Sequence, residues 1–331
     1  MNVLVTGAAG YIGSIVTEQL VQWGHTVVAV DNLQQGHRQA VPAEASFVPL
    51  DLCDPVGLEA TFEGAKLDAV MHFAADALVG ESMVNPARYY RNNVVCGLNL
   101  LNAMVKHRVS RLVFSSSCAV YGEPRQVPVS EGHPLEPVNP YGECKYVFER
   151  TLRWYAHAYG LTSVCLRYFN AAGASERFGE DHSPETHLIP NVLRVALGRL
   201  PQVSVFGTDY PTPDGSCIRD YVHVLDIAAA HRLALGYLHG STECRAFNLG
   251  SGHGYSVLQV IDVARRITGA AVPTLVARRR EGDPAVLVAT SSLAEKELGW
   301  RPQYPELDGM IDSAWRWAVA HPGGYGGSGK A

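Results

Sequence analysis

The stretch that decides the fold is Val3–Ser14, VLVTGAAGYIGS, close to the first residue of the chain. Its apolar start predicts a buried strand, and Tyr11–Gln22 predicts the helix that follows. Gly7, Gly10 and Gly13 lie between them with the spacing G-x-x-G-x-x-G. Such glycines permit a tight turn, close approach of the backbone to a pyrophosphate, and close helix–strand packing, with the helix amino terminus facing the phosphates. The stretch predicts a dinucleotide-binding turn, although a glycine motif alone also fits a plain strand–helix connection.

Asp31 adds a second signal for the same function. It ends the second predicted strand, near the spacing of about 20 residues expected for the acid that binds the adenosine ribose. A carboxylate there accepts hydrogen bonds from both ribose hydroxyls and repels a 2′-phosphate. The combination therefore predicts NAD as the cofactor, in preference to NADP.

The fold class predicted from the whole chain is α/β, with a Rossmann-type doubly wound parallel sheet and a smaller mixed α/β C-terminal substrate domain. Apolar runs separated by helical patterns are typical of such a sheet. The predicted strands of this sheet are Asn2–Gly7, Thr26–Asp31, Ser46–Leu52, Leu67–Ala74, Arg111–Ser117 and Thr162–Asn170. The long helices predicted beside them are Pro86–Arg108 and Tyr141–Tyr159.

The regular pattern ends after Asn170. We assign residues 1–170 to an NAD-binding Rossmann domain, to which later segments return, and residues 171–331 to a substrate domain. In that second half the predicted helices are Leu188–Leu197, Leu225–Leu238, Val257–Thr268 and Leu307–His321, and the predicted strands are Gln202–Phe206 and Ala246–Leu249. The glycine-rich tail, His321–Ala331, is predicted to fray.

Composition excludes several classes of protein. A net charge of −5 over 331 residues gives no basic footprint of a nucleic-acid binder. The one dense basic run, Arg278–Arg280, by itself fits a solvated surface as well as it fits a binding site. No apolar run approaches the roughly 20 residues that span a bilayer. The seven cysteines form no Cys-x-x-Cys pair, which predicts reduced thiols, a cytoplasmic location and no metal site.

A candidate catalytic trio follows in the first half of the chain. Tyr141 and Lys145 have the helical spacing Tyr-x-x-x-Lys, and Ser115-Ser116-Ser117 ends the fifth predicted strand. A tyrosine has an ordinary pKa of about 10, and a lysine cation together with a positive nicotinamide ring would favour its phenolate. Ser117 can share the hydrogen bond to the reacting oxygen. These groups suit proton removal from an alcohol while hydride leaves its carbon.

With these motifs the chain resembles the extended short-chain dehydrogenase/reductase superfamily, and within it the family of UDP-glucose 4-epimerases. The resemblance covers nearly the whole chain. It is carried by VLVTGAAGYIGS (3–14), DNL (31–33), HFAADALVGES (72–82), FSSSCAVYG (114–122), NPYGECK (139–145), LRYFNAAGA (166–174), FGTDYPTPDGSCIRDYVHV (206–224), NLGSG (248–252) and RREGDPA (279–285).

The resemblance implies roles for individual positions. It implies that Ser117, Tyr141 and Lys145 are catalytic. The implied cofactor contacts are Gly7, Gly10, Tyr11, Ile12, Gly13, Asp31, Asn32, Asp51, Leu52, Phe73, Ala74, Ala75, Asn92, Ser115, Tyr141, Lys145 and Phe169. The implied substrate contacts are Ser117, Tyr141, Asn170, His187, Leu188, Ser204, Val205, Phe206, Arg219, Arg280, Asp283 and Leu287.

Chemistry supports part of this assignment, and three positions depart from the family pattern. The guanidinium groups of Arg219 and Arg280 suit a diphosphate, and Asp283 can accept from ribose hydroxyls.

Ala77 stands where a relative has a lysine that contacts NAD, and His187 stands where asparagine is common. Leu287 lines the far side of the sugar and is intermediate in size, which leaves use of UDP-N-acetylhexosamines open.

The implied activity is reversible C4 epimerisation of UDP-hexoses, UDP-glucose and UDP-galactose, through a transient 4-keto sugar with tightly bound NAD. The resemblance also implies a homodimer, formed through the helices near 86–108 and 141–159, and a place in galactose metabolism. Three alternatives remain, the first being another NAD-dependent nucleotide-sugar epimerase. A nucleotide-sugar 4,6-dehydratase needs a further acid/base pair after the active serine, where this chain has Cys118 and Ala119. A catalytically silent NAD-binding protein would not need the trio.

Overall fold

The structure is a computed structural model that describes residues 1–241, 243–280 and 282–326. Residues 327–331, the end of the tail predicted to fray, lie outside the described residues. The strands are β1 Asn2–Thr6, β2 Thr26–Asp31, β3 Ser46–Pro49, β4 Ala69–His72, β5 Arg111–Ser117, β6 Thr162–Tyr168, β7 Asn170–Ala172, β8 Val203–Phe206, β9 Ile218–His223, β10 Cys244–Leu249, β11 Gly254–Ser256, β12 Thr274–Ala277 and β13 Val286–Leu287.

Helices separate most of these strands. The α-helices are α1 Tyr11–Gln22, α2 Pro55–Glu63, α3 Val79–Val84, α4 Pro86–Tyr89, α5 Cys96–Lys106, α6 Pro140–Tyr159, α7 Leu188–Ala196, α8 Val224–Tyr237, α9 Val257–Thr268, α10 Ser292–Leu298 and α11 Leu307–Ala320. None of the helices within the described residues is long and apolar enough to cross a membrane.

Seven parallel strands form the main sheet, in the order β10-β6-β5-β4-β1-β2-β3. The order reverses direction between β1 and β4, and in open α/β sheets ligands bind at such a switch point, outside the carboxyl ends of the strands. The predicted fold class, α/β with a Rossmann-type sheet, is confirmed. Strand β10 comes from the second half of the chain and extends the sheet beyond β6.

Apolar side chains on the two faces of this sheet form separate layers. On one face, Val3 and Val5 of β1 pack with residues of α1 and with Ile227 of α8. On the other, Leu4 packs with residues of α2, α5 and α6, including Phe148. Because both faces are covered, the strands carry continuous apolar runs, which is why the sequence revealed them.

The second half supplies a smaller unit with its own core. Strand β9 pairs with β7, β11 and β13, and β8 pairs with β12. Helices α7, α9 and α11 pack together through residues that include Val192, Val260 and Met310. A domain boundary at residue 170 stays a prediction, while α8 and β10, which follow it, pack with the main sheet.

The predicted helix over 86–108 is divided. It consists of α4, a π-helical stretch Tyr90–Val95, and α5. Within the π-helical stretch, the Asn93 side chain accepts from the backbone N–H of Asp76 at 2.8 Å and donates to its carbonyl at 2.9 Å. The wider turn therefore fixes the loop that follows β4, a tertiary contact that helical periodicity does not reveal.

The prediction that all cysteines are reduced thiols is wrong for one pair. Cys53 and Cys96 form a disulfide, with their Cα atoms 4.6 Å apart. The pairing is tertiary, because packing of α5 against the loop after β3 brings together residues that are 43 positions apart. The Asn99 amide, on the same helix, donates to the Leu52 carbonyl at 3.0 Å and holds the two segments in contact.

Candidate functional site

The glycine turn is built as the sequence predicts. Gly7 follows β1 with φ of +71°, and a Cβ at this position would lie 2.5 Å from the backbone nitrogen of Ala74. A Cβ on Gly13 would collide with the Gly7 carbonyl oxygen. Gly10 is the residue before α1, so the first turn of that helix opens directly above the sheet edge. Glycine is therefore required at positions 7 and 13, where the turn packs against the backbone after β4 and against the first turn of α1.

Asp31 lies beside this turn and is almost completely buried. Its carboxylate accepts from the N–H of Ala9 at 2.9 Å and of Leu33 at 2.8 Å. Burial raises the pKa of Asp31, and these two hydrogen bonds act against that shift. Next to it, the Asn32 amide donates to Asp51 at 3.1 Å. Polar groups therefore border the carboxyl ends of β2 and β3.

Further predicted cofactor residues lie on the other side of the switch point. Phe73, Ala74 and Ala75 directly follow β4 and are partly exposed, and the Phe73 N–H donates to the Thr6 carbonyl at 2.9 Å. Asn92 lies in the π-helical stretch, where its amide donates to the Asn93 side chain at 3.3 Å. Leu52, Tyr11 and Ile12 also lie at this edge, after β3 and at the start of α1.

The three predicted catalytic residues lie at one edge of the sheet. Ser117 is the last residue of β5, and Tyr141 and Lys145 lie in the first turns of α6. That helix begins where it does because the Asn139 side chain accepts from the Gly142 N–H at 2.9 Å, and Pro140 follows as the first helical residue. The serine and the tyrosine are therefore placed by different elements that meet at this edge.

Lys145 is buried against the end of β5. Its Nζ donates to the Ser115 carbonyl at 2.8 Å and lies 4.9 Å from the centre of the Phe114 ring and 5.8 Å from that of Tyr141. Burial lowers the pKa of the Lys145 ammonium to about 8, although Cys144 and Glu149 act in the opposite direction. The lysine is therefore charged at neutral pH and close to titrating.

Tyr141 does not become acidic through its lysine neighbour alone. Burial raises the pKa of Tyr141 to about 12, and a hydrogen bond with Ser117 lowers it only in part. The sequence argument combined Lys145 with the positive nicotinamide ring. Among the groups of the chain itself, burial outweighs the Ser117 hydrogen bond, because removing a phenolate from water is costly.

A second hydroxyl pair lies beside the trio. Ser115, two residues before the end of β5, and Tyr168, the last residue of β6, form a hydrogen bond. Phe169 follows directly and packs with Leu287 in one apolar cluster. Asn170 donates to the Asp220 carbonyl at 2.8 Å, which ties β7 to β9. These contacts connect the catalytic edge with the strands that carry the predicted substrate residues.

The predicted diphosphate-binding arginines lie on the second unit. The Arg219 side chain, 12% exposed, forms an ion pair with Asp283. Arg280 lies with its Cζ 4.0 Å above the Phe206 ring, at the end of β8, which also carries Ser204 and Val205. Asp283 therefore orients Arg219 in this structure, a role that the sequence argument, which gave it ribose hydroxyls, did not include.

Arg219 is close enough to Cys118, the residue after Ser117, to act on it electrostatically. Burial raises the pKa of Cys118 to about 12, and the positive charge of Arg219 opposes that rise. On β9, Arg219 is in register with Leu287 of β13. The structure therefore brings the serine, the arginine and the leucine of the predicted sugar pocket to one region.

His187 and Leu188 lie at the start of α7, where His187 is the residue before the helix. The sequence left the protonation of His187 open. Burial lowers the pKa of His187, but the carboxylates of Glu180 and Glu185 outweigh this and raise it to about 10. Its Nδ1 lies 2.8 Å from Glu180 Oε1 and 2.9 Å from Glu185 Oε1.

The cluster around His187 was missed in the sequence. It consists of Glu180, His182, Glu185 and His187, whose ligand-type atoms all lie within 4.8 Å of one another. The signal that could have found it is the run E-D-H-S-P-E-T-H over 180–187, in which acids and histidines recur at short spacing. The expectation that the chain has no metal site considered cysteines and passed over this run.

A buried polar network beneath the trio was also missed. Glu149 of α6 and Arg167 of β6 form an ion pair whose side chains are each 2% exposed. Ser116 donates to Glu149 at 2.6 Å, and Arg167 donates to the Tyr121 hydroxyl at 3.0 Å. Tyr121 in turn donates to Asn248 of β10 at 2.6 Å. No local sequence signal joins residues so far apart.

A glycine turn at the switch point, a buried acid at the end of β2 and the Ser117–Tyr141–Lys145 trio define a dinucleotide-binding protein of the short-chain dehydrogenase/reductase class. More closely, the model of the NAD dependent epimerase/dehydratase family matches residues 3–250, and the chain belongs to that family. The resemblance found in the sequence is thereby confirmed at the level of the family.

Individual relatives match over almost their full length. The chain is 51% identical over 327 residues to the UDP-glucose 4-epimerase of Halalkalibacterium halodurans, covering 98% of both. A crystal structure of the Brucella ovis UDP-glucose 4-epimerase in complex with NAD is 47% identical with a TM-score of 0.93, over 96% of this chain and 98% of that one. That of the Bifidobacterium longum enzyme with NAD+ and UDP is 39% identical with a TM-score of 0.93, over 98% and 100%.

Proposed function

We propose that the chain catalyses the reversible C4 epimerisation of UDP-hexoses, UDP-glucose and UDP-galactose, with tightly bound NAD. One observation carries the proposal. The edge of the sheet that holds Ser117, Tyr141 and Lys145 also holds the glycine turn, and the charge of Arg219, on β9, reaches Cys118, the residue after Ser117. A dinucleotide and a nucleotide sugar can therefore meet at one tyrosine. The similarity to UDP-glucose 4-epimerases solved with NAD, and with NAD+ and UDP, supports the same function.

The residues at the switch point fit NAD. The turn at Gly7 leaves no room for a Cβ, as expected where backbone must approach a pyrophosphate. The buried carboxylate of Asp31 suits ribose hydroxyls and disfavours a 2′-phosphate. These residues would hold NAD, which would supply a hydride acceptor and donor for the sugar C4, so that no net oxidation would result. We further propose the contacts that the resemblance implies: Gly10, Tyr11, Ile12, Gly13, Asn32, Asp51, Leu52, Phe73, Ala74, Ala75, Asn92, Ser115, Lys145 and Phe169.

The protein groups handle the proton. In our proposal, Tyr141 removes the proton of the 4-hydroxyl as that carbon becomes a ketone, and later returns a proton to the 4-keto sugar. Ser117, which shares a hydrogen bond with Tyr141, orients the reacting oxygen. Lys145 stabilises the phenolate through its charge, 5.8 Å from the ring centre. The trio is thus a proton-transfer unit, and inversion requires only that the keto sugar turns over.

The second unit would hold the UDP part while the sugar turns. The guanidinium groups of Arg219 and Arg280 suit the diphosphate, and the ion pair with Asp283 holds Arg219 in position. Leu287, mostly buried, would limit the sugar pocket. The remaining substrate contacts that we propose are Asn170, His187, Leu188, Ser204, Val205 and Phe206. An anchored nucleotide with few contacts on the hexose permits both faces of C4 to reach the cofactor.

The experiment uses purified protein and UDP-galactose with no added cofactor. We expect UDP-glucose as the product by proton NMR, no net reduction of NAD, and NAD released from the protein on acid denaturation. Tyr141→Phe should reduce the rate by about 10²–10⁴-fold, the usual range for loss of a general base. Absence of turnover by the NAD-loaded protein would refute the proposal, as would a 4-keto-6-deoxy sugar, the product of the dehydratase alternative. The same assay with UDP-N-acetylgalactosamine tests whether Leu287 admits N-acetylhexosamines.

We also propose a homodimer that pairs through the helices near 86–108 and 141–159. These helices leave large apolar side chains in solvent, with Val95 51% and Trp154 69% exposed. Val95→Glu should convert a dimer to a monomer in size-exclusion chromatography with light scattering, because it would bury an unpaired charge in the interface. Val319→Glu is the matched control, since Val319 is equally exposed, at 51%, on α11. A wild-type monomer would contradict the proposal.

A place in galactose metabolism and a cytoplasmic location complete the proposal. UDP-galactose as substrate supports the first. We test both by expressing the chain in an epimerase-deficient bacterium: growth on galactose should return with the wild type and fail with Tyr141→Phe, and cell fractionation should recover the protein with the cytoplasmic proteins. Five of the seven cysteines are free thiols, which fits a reducing compartment, although the Cys53–Cys96 disulfide does not.

A further inference from the structure

The segment that leads into α7 carries four side chains that converge on one point. Glu180, His182, Glu185 and His187 each direct one ligand-type atom into a region where these atoms lie within 4.8 Å of one another. The cluster shares no residue with the trio or the glycine turn, and one of its members, His187, is also a proposed substrate contact. Two imidazoles and two carboxylates are a donor set that first-row transition metals prefer, whereas magnesium and calcium prefer oxygen ligands alone.

The distances within the cluster fit a tetrahedral site. His182 Nδ1 and His187 Nδ1 lie 3.1 and 2.8 Å from Glu180 Oε1. Of the Glu185 oxygens, Oε1 already accepts from the backbone N–H groups of Thr186 and His187, and Oε2, the candidate ligand atom, lies 3.9 Å from His182 Nδ1. Zinc bonds of about 2.0–2.2 Å to nitrogen and oxygen place tetrahedral ligand atoms roughly 3.3 Å apart. The three separations among Glu180 Oε1, Glu185 Oε2 and the two Nδ1 atoms, 2.8, 3.1 and 3.9 Å, fall on both sides of that value.

Glu185 provides an independent observation that points to a ligand. Its side chain is only 1% exposed, and its Oε2 is buried with no hydrogen-bond partner among the described residues. That oxygen faces the cluster, because it lies 3.9 Å from the Nδ1 atom of His182. A buried carboxylate oxygen without a partner is costly. A cation at the centre of the cluster would satisfy it.

We propose that Glu180, His182, Glu185 and His187 bind one zinc ion through two imidazole Nδ1 atoms and two carboxylate oxygens. The two carboxylates balance the charge of the ion. Four protein ligands close the coordination sphere, so the site is structural. Zinc would replace protons on the imidazoles, since metal ligands must be deprotonated. The alternative, in which two protonated histidines pair with two carboxylates, is what the experiment must distinguish.

The position of the cluster indicates what the ion would stabilise. His187 is the residue before α7, and the His182 ring lies edge-on to the Tyr11 ring at the start of α1, with centroids 6.4 Å apart. The ion would therefore fix the segment before α7 close to the glycine turn. Coordination through Nδ1 leaves Nε2 of His187 available for the substrate contact proposed above.

The test measures metal directly and does not depend on epimerase activity. The purified full-length protein is stripped with EDTA, then titrated with Zn²⁺ or Co²⁺, and metal per chain is measured by mass spectrometry. We expect one ion per chain and the intense visible absorption of four-coordinate Co²⁺. His182→Asn and Glu185→Gln should weaken binding by at least about 100-fold, since even outer-shell changes cost 10–100-fold. His239→Asn, an exposed histidine elsewhere, should bind as the wild type does.

Several outcomes would overturn the proposal. One is wild-type protein that retains no ion after dialysis. Another is His182→Asn and Glu185→Gln variants that bind with wild-type affinity, which would place the metal elsewhere. A third is the weak absorption of six-coordinate Co²⁺ on the wild-type protein, a measurement that remains available if a variant does not fold. Failure of the epimerase assay would leave all these readouts unchanged, so the two proposals fail separately.

Discussion

Replacing Lys145 by methionine tests how the chain makes Tyr141 a base. Burial raises the pKa of Tyr141 to about 12, so forming the phenolate at pH 7 costs about 7 kcal/mol at 1.36 kcal/mol per unit. The Lys145 ammonium lies 5.8 Å from the ring centre. With an effective dielectric constant of about 20, its charge contributes about 3 kcal/mol. Lys145→Met should therefore lower kcat about 100-fold at pH 7.

The pH dependence makes this prediction specific. The pKa of Lys145 is lowered to about 8, so its charge is present below that pH and is lost as the pH rises through it. The ratio of wild-type to Lys145→Met activity should be near 100 at pH 7 and fall to a few-fold by about pH 10. In the variant, activity should continue to rise with pH, because the phenol still titrates.

The assay is the conversion of UDP-galactose to UDP-glucose, followed by NMR from pH 6 to 10 with saturating NAD. Bound NAD is measured in each sample, so that cofactor loss is not read as lost catalysis. Lys296→Met, which removes an exposed lysine on α10, is the matched control. A ratio that stays constant over this pH range, or a loss below about 3-fold at pH 7, would refute the electrostatic role of Lys145.

Three further predictions test other parts of the structure. Asp31→Asn should weaken NAD binding about 10–100-fold, the effect of losing charged hydrogen bonds, and raise the preference for NADP in a fluorescence titration; an unchanged preference would contradict the ribose role. Arg167→Met should lower Tm by roughly 10 °C, because it leaves Glu149 buried without a partner. That loss costs about 3–5 kcal/mol, and each kcal/mol lowers Tm by a few degrees. Adding Glu149→Met should recover most of the lost Tm, and a double variant as unstable as the single one would count against this account. Denatured, unreduced protein should show five free thiols with Ellman's reagent because Cys53 and Cys96 are joined, and seven would show that they are not.

Much of the Rossmann half could be predicted from local sequence. Buried parallel strands need continuous apolar runs, and the turn at Gly7 needs glycine, so β1, β2 and the start of α1 lie where the sequence placed them. The residues Tyr141 and Lys145 could be paired because one helix carries both. Short strands such as β7 and β13 could not be predicted, since their pairing partner on β9 lies far along the chain.

The sequence by itself determined the elements whose signal is local: the glycine turn, the acid at the end of β2, and the spacing of the tyrosine and lysine. Only the tertiary structure decided the environment of those groups. It buried Tyr141 so deeply that its pKa rises despite the hydrogen bond with Ser117, and it paired Asp283 with Arg219. It also gathered Glu180 and its neighbours into one cluster. The physical reason is that periodicity and spacing are properties of neighbouring residues, whereas desolvation and ion pairing depend on which distant segments pack together.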